Sequence, residues 1–183
     1  MLFRSLFFQV RPAGDAFYKS ENFPWSKHLT GAEGIAPLDG FDPLTYITEA
    51  AHQSGLKLHA WINPYRLTAS ANDSDTQPEC SIAKKFPHLV VKHTDGKLYL
   101  NPGEPEAIQL VVDGALEILQ NYNIDGIHID DYFYPSSAFP DGETFTKYGG
   151  SFSNIGDWRR SNTTELVRKL NTAIKKADRK SVV

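Results

Sequence analysis

The sequence predicts an α/β fold built from parallel strand–helix units, and three observations carry that expectation. Short apolar runs alternate three times with amphipathic helical segments along the 183 residues. The connections from helix to strand are a few residues long, whereas those from strand to helix occupy 12–41, 64–104 and 131–156. Each predicted strand also carries its polar side chains at alternate positions, so that they share one face.

The first strand is LFFQVR, 6–11, and its helix runs from Asp42 as N-cap and Pro43 in the first turn to Gly55, with Leu44, Ile47 and Ala51 on one side. The second strand is KLHAWIN, 57–63. The long loop after it contains a hairpin, LVVKHTDGKLYL at 89–100, turned at Asp95-Gly96. Its principal helix spans 105–122, where Ile108, Val111, Val112, Ala115 and Leu119 recur at helical spacing. The third strand is DGIHID, 125–130, and its helix starts with Asp157 as cap and turns Leu166, Val167, Leu170 and Ile174 inward.

Composition narrows the function. With 40% hydrophobic and 22% charged residues the chain is an ordinary globular domain, and a formal net charge of -3 supplies no basic field for nucleic acid. The single cysteine, Cys80, makes neither an intrachain disulfide nor a zinc site by itself. No apolar run approaches the ~20 residues of a membrane span. The start, MLFRSLFFQV, runs into QVRPAGD without a small-residue cleavage site and is not read as a signal peptide.

All the long loops leave the carboxyl ends of the strands, the functional face of a (β/α) barrel and equally the ligand edge of an open α/β sheet. Alternation sets Ile127 and Ile129 against His128 and Asp130, and Leu58, Ala60 and Ile62 against His59, Trp61 and Asn63. In the first strand it sets Phe8 and Val10 against Gln9 and Arg11. The polar set therefore gathers where a barrel has its interior and mouth.

Asp130 and Asp131 close the third strand. They read as a carboxylate nucleophile or general base, since glycosidic cleavage needs two carboxyl groups flanking the bond; the plainer reading is a pair satisfying loop amides. Alternation favours Asp130. His59 and His128 suit metal ligation, sugar hydroxyls or a satisfied interior, without an HExxH motif to single out the first. Arg11, Arg66 and Asn63 suit hydrogen bonds to a polar substrate, or, for the arginines, ion pairs with nearby aspartates. Tyr18, Trp25, Trp61, Tyr65, Tyr132, Phe133, Tyr134 and Trp158 offer faces for sugar stacking, and several of them pack the loops. In DWRRSN, 157–162, Arg159 and Arg160 read as surface charge.

The segments FFQVRPAGDAFYKSE, LHAWINPYR, LYLNPGEPEA, YNIDGIHIDDYFYP and DWRRSN, in that order, resemble the bacterial glycosyl-hydrolase-like family ten, formerly a domain of unknown function. The resemblance implies a TIM-type (β/α)8 barrel, of which this single partial domain, 1–183, holds about strands two to four. It implies glycoside hydrolysis of a polysaccharide; separately, the parent protein is expected to be exported, and no cofactor or metal is expected. In the similar amylase-type pattern the nucleophile follows Gly-hydrophobic-Arg-x, and GIHID places Asp130 there with His128 in place of the arginine. Within the matching motifs Gln9, Asp15 and Asn101 join the expected substrate-binding set. The acid partner is sought among Asp15, Glu21, Glu104 and Asp141, or on a strand outside this chain. Residues 1–5 and 178–183 are expected to stand outside the fold. Two rival functions are a metal-dependent polysaccharide deacetylase using His59, His128 and Asp130, and a carbohydrate-binding barrel without catalysis.

Overall fold

The computed structural model describes residues 4–130 and 133–178. Strands β1 (Ser5–Arg11), β2 (Lys57–Ile62) and β5 (Gly126–His128) form a parallel sheet in the order β1-β2-β5. A hairpin of β3 (Val90–Lys92) and β4 (Leu98–Leu100) lies in the second long loop, with Gly96 in the left-handed region its turn requires. The helices are α1 (Lys27–Thr30), α2 (Pro43–Gln53), α3 (Ile82–Lys85), α4 (Pro105–Asn121), α5 (Gly142–Tyr148) and α6 (Ile155–Asp178). The expected α/β architecture is present, and among the described residues the sheet does not close into an eight-stranded barrel.

Helix α2 starts as its sequence dictates: Asp42 Oδ1 accepts from the amides of Leu44 and Thr45 at 2.9 and 3.1 Å. The same carboxylate, through Oδ2, accepts from the Tyr122 hydroxyl at 2.6 Å and the Lys19 amide at 3.0 Å. One aspartate thus fixes α2, the end of α4 and the first long loop together. Leu58, Ala60 and Ile62 of β2 are fully buried with Val111, Ala115 and Ile118 of α4 and Leu44 and Ala51 of α2.

Four expectations need correction. Strand β5 ends at His128, so Ile129 and Asp130 follow it rather than belong to it. Helix α6 begins two residues before Asp157, and Asn154 is its cap, its Oδ1 accepting from the Asp157 amide at 2.9 Å. Val167 is 44% exposed, while Leu166 and Leu170 on the neighbouring stripe are buried. Arg4 and Ser5 take part in the fold, since Ser5 pairs with Lys57 and the Arg4 carbonyl accepts from the Lys57 amide at 3.0 Å.

A fifth correction concerns Arg11. Gln9 pairs with Trp61, but Arg11 pairs with Ile62, so one extra residue, Val10, bulges from β1. Because register partners share a face, the bulge moves Arg11 from the side of Gln9 to the helix side, where it is buried with its guanidinium carbon 4.0 Å from the Phe23 ring centre. Gly114 of α4 gives it room: a Cβ there would fall on Arg11 Nη1 and Phe23. Neither obstacle is free to move, both being buried. Gly114→Ala is therefore expected to cost about 1–3 kcal/mol through overpacking, outweighing the gain in helix propensity, and urea denaturation of the two proteins measures it.

Candidate functional site

The sheet face opposite the helices carries Phe7 and Gln9 of β1, His59 and Trp61 of β2, and His128 of β5, in register across the three strands. Phe7 stacks on His59 with ring centres 4.8 Å apart and meets His128 edge-on at 5.0 Å. Trp61 meets His128 edge-on at 5.7 Å, and its indole Nε1 is buried with no hydrogen-bond partner among the described residues. The close packing of His59 on β5 depends on Gly126, where a Cβ would lie 2.6 Å from His59 Nδ1. Phe7 is 52% exposed, while Gln9, His59, Trp61 and His128 are half-buried. Phe7 escaped the sequence reading, although its alternation with Phe8 places it beside Gln9.

The three acids in IDGIHIDDYFYP separate by role. Asp125, at the amino end of β5, accepts through Oδ2 from the Leu58 amide and from His52 Nε2, each at 2.8 Å, and clips α2, β2 and β5 together. Asp130 lies two residues beyond β5, half-buried at the carboxyl end of the sheet. Asp131 and Tyr132 lie outside the described residues.

Several expected binding residues serve the scaffold. Tyr18 is buried against Tyr122, ring centres 5.7 Å apart, and shows no free face. Burial raises its hydroxyl pKa and, against the opposing charges of Tyr18 and Glu117, lowers that of the Arg11 guanidinium. Asn63 is buried, its Oδ1 accepting from the Arg66 amide at 3.1 Å. Asn101 is buried too: its Nδ2 donates to Thr144 Oγ1 at 2.7 Å and its Oδ1 accepts from the Gly103 amide at 3.0 Å. Tyr134 is half-buried, edge-on to Phe139, with its hydroxyl accepting from Asn162 at 3.1 Å. Tyr65 and Trp158 are core residues.

Among the acid candidates, Asp141 is buried and engaged in a two-pronged ion pair by Arg159, whose guanidinium also donates to the Ser137 and Phe139 carbonyls at 2.7 Å. Arg159 is a clamp on the third loop rather than surface charge; Arg160, paired with Asp157, is exposed as expected. Glu104 lies 3.7 Å from Lys147, and Glu21 is exposed. Asp15 is different: it is only 8% exposed, its Oδ1 has no partner among the described residues, and it borders a cavity of about 300 Å³ together with Arg66 and Glu33. Glu33 sits in GAEG, with no pattern in the sequence to mark it. Among the described residues no three His, Cys, Asp or Glu side chains converge as a metal set.

A parallel α/β sheet with its polar and aromatic side chains at one face and its long loops at the strands' carboxyl ends is an arrangement shared with (β/α)-barrel proteins. The backbone is similar to that of alpha-L-fucosidase isoenzyme 2 from Paenibacillus thiaminolyticus, with a TM-score of 0.59 at 18% identity over 93% of this chain and 25% of that one. The chain belongs to the Glycosyl hydrolase-like 10 family, whose model matches residues 1–182. It is 44% identical over 174 residues to the glycosyl hydrolase YngK of Bacillus subtilis (strain 168), covering 92% of this chain and 34% of that protein. It is 39% identical over 181 residues to the glycosyl hydrolase DigH of Escherichia coli (strain K12), covering 93% of this chain and 41% of that one. The chain thus spans less than half the length of these curated relatives.

The Asp125 clip has a pH signature. Burial alone would raise its pKa, but the His52 hydrogen bond and the Leu58 amide outweigh that and hold it below the ordinary carboxylate value. A lowered folded pKa contributes stability that is present above the unfolded value of about 3.9 and is lost as pH falls through the folded one. The urea midpoint is therefore expected to fall more steeply between pH 5 and pH 2 in the native sequence than in Asp125→Asn, which starts from a lower midpoint at pH 7; parallel curves would refute the clip.

Proposed function

We propose that the protein carrying this chain is a glycoside hydrolase acting on a carbohydrate chain, with Asp130 as nucleophile or general base. The observation that supports this most is the position of Asp130, just beyond β5 at the carboxyl end of a parallel sheet whose face opposite the helices carries His59, Trp61 and His128. Aromatic and imidazole edges suit the apolar faces and hydroxyls of sugar rings. Membership of a glycosyl-hydrolase-like family supports the same reaction class. The chain corresponds in this reading to about strands two to four of an eight-stranded barrel, and the engagement of Asp141 by Arg159 favours an acid partner elsewhere.

In the full-length protein Asp130→Asn is expected to lower kcat on its glycan by several orders of magnitude with an unchanged circular dichroism spectrum, with Asp131→Asn as the parallel control. Near-normal turnover by Asp130→Asn would sink the assignment. The chain expressed alone is expected to be inactive and prone to aggregate, because β1 and β5 are both open edges among the described residues and Phe7 is exposed on the β1 edge. A soluble monomer of residues 6–177 with a cooperative thermal transition and glycan turnover would contradict that expectation.

A further inference from the structure

The loops after β1 and β2 enclose the cavity bordered by Asp15, Lys27, Glu33, Arg66 and Asp73, and neither His59, His128 nor Asp130 lines it. A buried carboxylate oxygen without a donor, as at Asp15 Oδ1, carries an uncompensated desolvation cost that a bound donor removes. Lys27 Nζ is held by Asp73 Oδ1 at 2.6 Å, and Arg66 uses its Nε on the Pro12 carbonyl at 3.0 Å. Lys27, His28 and Arg66 line the cavity with Asp15, Glu33 and Asp73, and among the described residues neither the Asp15 nor the Glu33 carboxyl is hydrogen-bonded to a basic side chain. Burial first, and then the charges of Asp15 and Asp73 against that of Lys27, push Glu33 up to about 7.

A monovalent cation would relieve this pair. An organic ammonium brings three hydrogen-bond donors to such a pair. The volume, about 300 Å³, is at the low end for small-ligand pockets and suits a single ring. The cavity also lies at the carboxyl end of the sheet, on the side where a glycan would run.

We propose that this cavity binds one sugar unit bearing a protonated amine, with the ammonium group held by Asp15 and Glu33. The sugar as carrier rests on the carbohydrate reading above; the amine rests on the cavity alone. The test is isothermal titration of the full-length protein at pH 7 with glucosamine, glucose and methylammonium. Glucosamine is expected to bind at least about tenfold more tightly than glucose, and Asp15→Asn and Glu33→Gln each to abolish that preference. Should Asp15→Asn fail to fold, Glu33→Gln, at a half-buried loop position, still decides. Equal affinity for glucosamine and glucose, or a preference that survives Glu33→Gln, would overturn the proposal; methylammonium binding as tightly as glucosamine would overturn the sugar assignment. Glycan turnover is recorded separately, so a protein that shows this binding pattern but cleaves no glycan supports the cavity assignment and fails the hydrolase reading.

Discussion

The bulge at Val10 sets the position of much that surrounds it. By turning Arg11 to the helix side it places a guanidinium between Phe23 and Gly114, and so brings the first long loop down onto α4. One turn further along the same face of α4, Glu117 accepts from Ser20 Oγ and from the Glu21 amide, the latter at 2.6 Å. Tyr122, just past the end of α4, then reaches Asp42 and the Lys19 backbone. A small residue and an acid on α4, with a phenol just past its end, thereby hold the loop that presents Asp15. A buried cation is expensive, and here the Phe23 face, the Tyr18 hydroxyl and the Glu117 charge offset only part of the cost, since burial still lowers the Arg11 pKa and neither Nη has a hydrogen-bond partner among the described residues.

On the opposite face of the sheet the governing constraint is the parallel register. Phe7 lies beside His59, and Trp61 beside His128, because each pair occupies equivalent positions on adjacent strands. Gly126, beside His59, is what lets that imidazole lie flat between neighbouring strands. The polar character of the face rises toward the carboxyl ends, where Asp130 lies, while Asp125 at the other end is occupied in holding strands and helix together. Two aspartates five residues apart in sequence thus meet opposite demands.

The periodic parts of the fold were legible because burial and hydrogen bonding repeat with them. Strands β1 and β2, helices α2 and α4, and the Asp95-Gly96 turn fall where alternation, capping and turn chemistry put them. What could not be read depends on single events that leave no period. A one-residue bulge reverses the face of Arg11 without altering the strand's composition, and the burial of Tyr18, Tyr65 and Asn101 is decided by which loop folds over which. Of the expected binding set, the structure gathers Gln9, His59, Trp61 and His128 on one face and sends Asp15 and Arg66 to a separate cavity. Glu33 acquires its significance from that cavity alone.

The hairpin β3–β4 does more than fill the second loop. Its inner strand continues onto the segment after β2, with the Leu67 amide donating to the Leu98 carbonyl at 2.9 Å and the Leu100 amide to the Tyr65 carbonyl at 2.8 Å. Its tip is tied down as well, since Ser74 Oγ donates to the Gly96 carbonyl at 2.6 Å. Connecting segments are ordinarily more mobile than the elements they join, yet this one is cross-braced like the sheet it serves. Selection acting on ligand preference therefore has little loop motion to work with on this side, and change must come from exchanging the side chains mounted on a fixed wall.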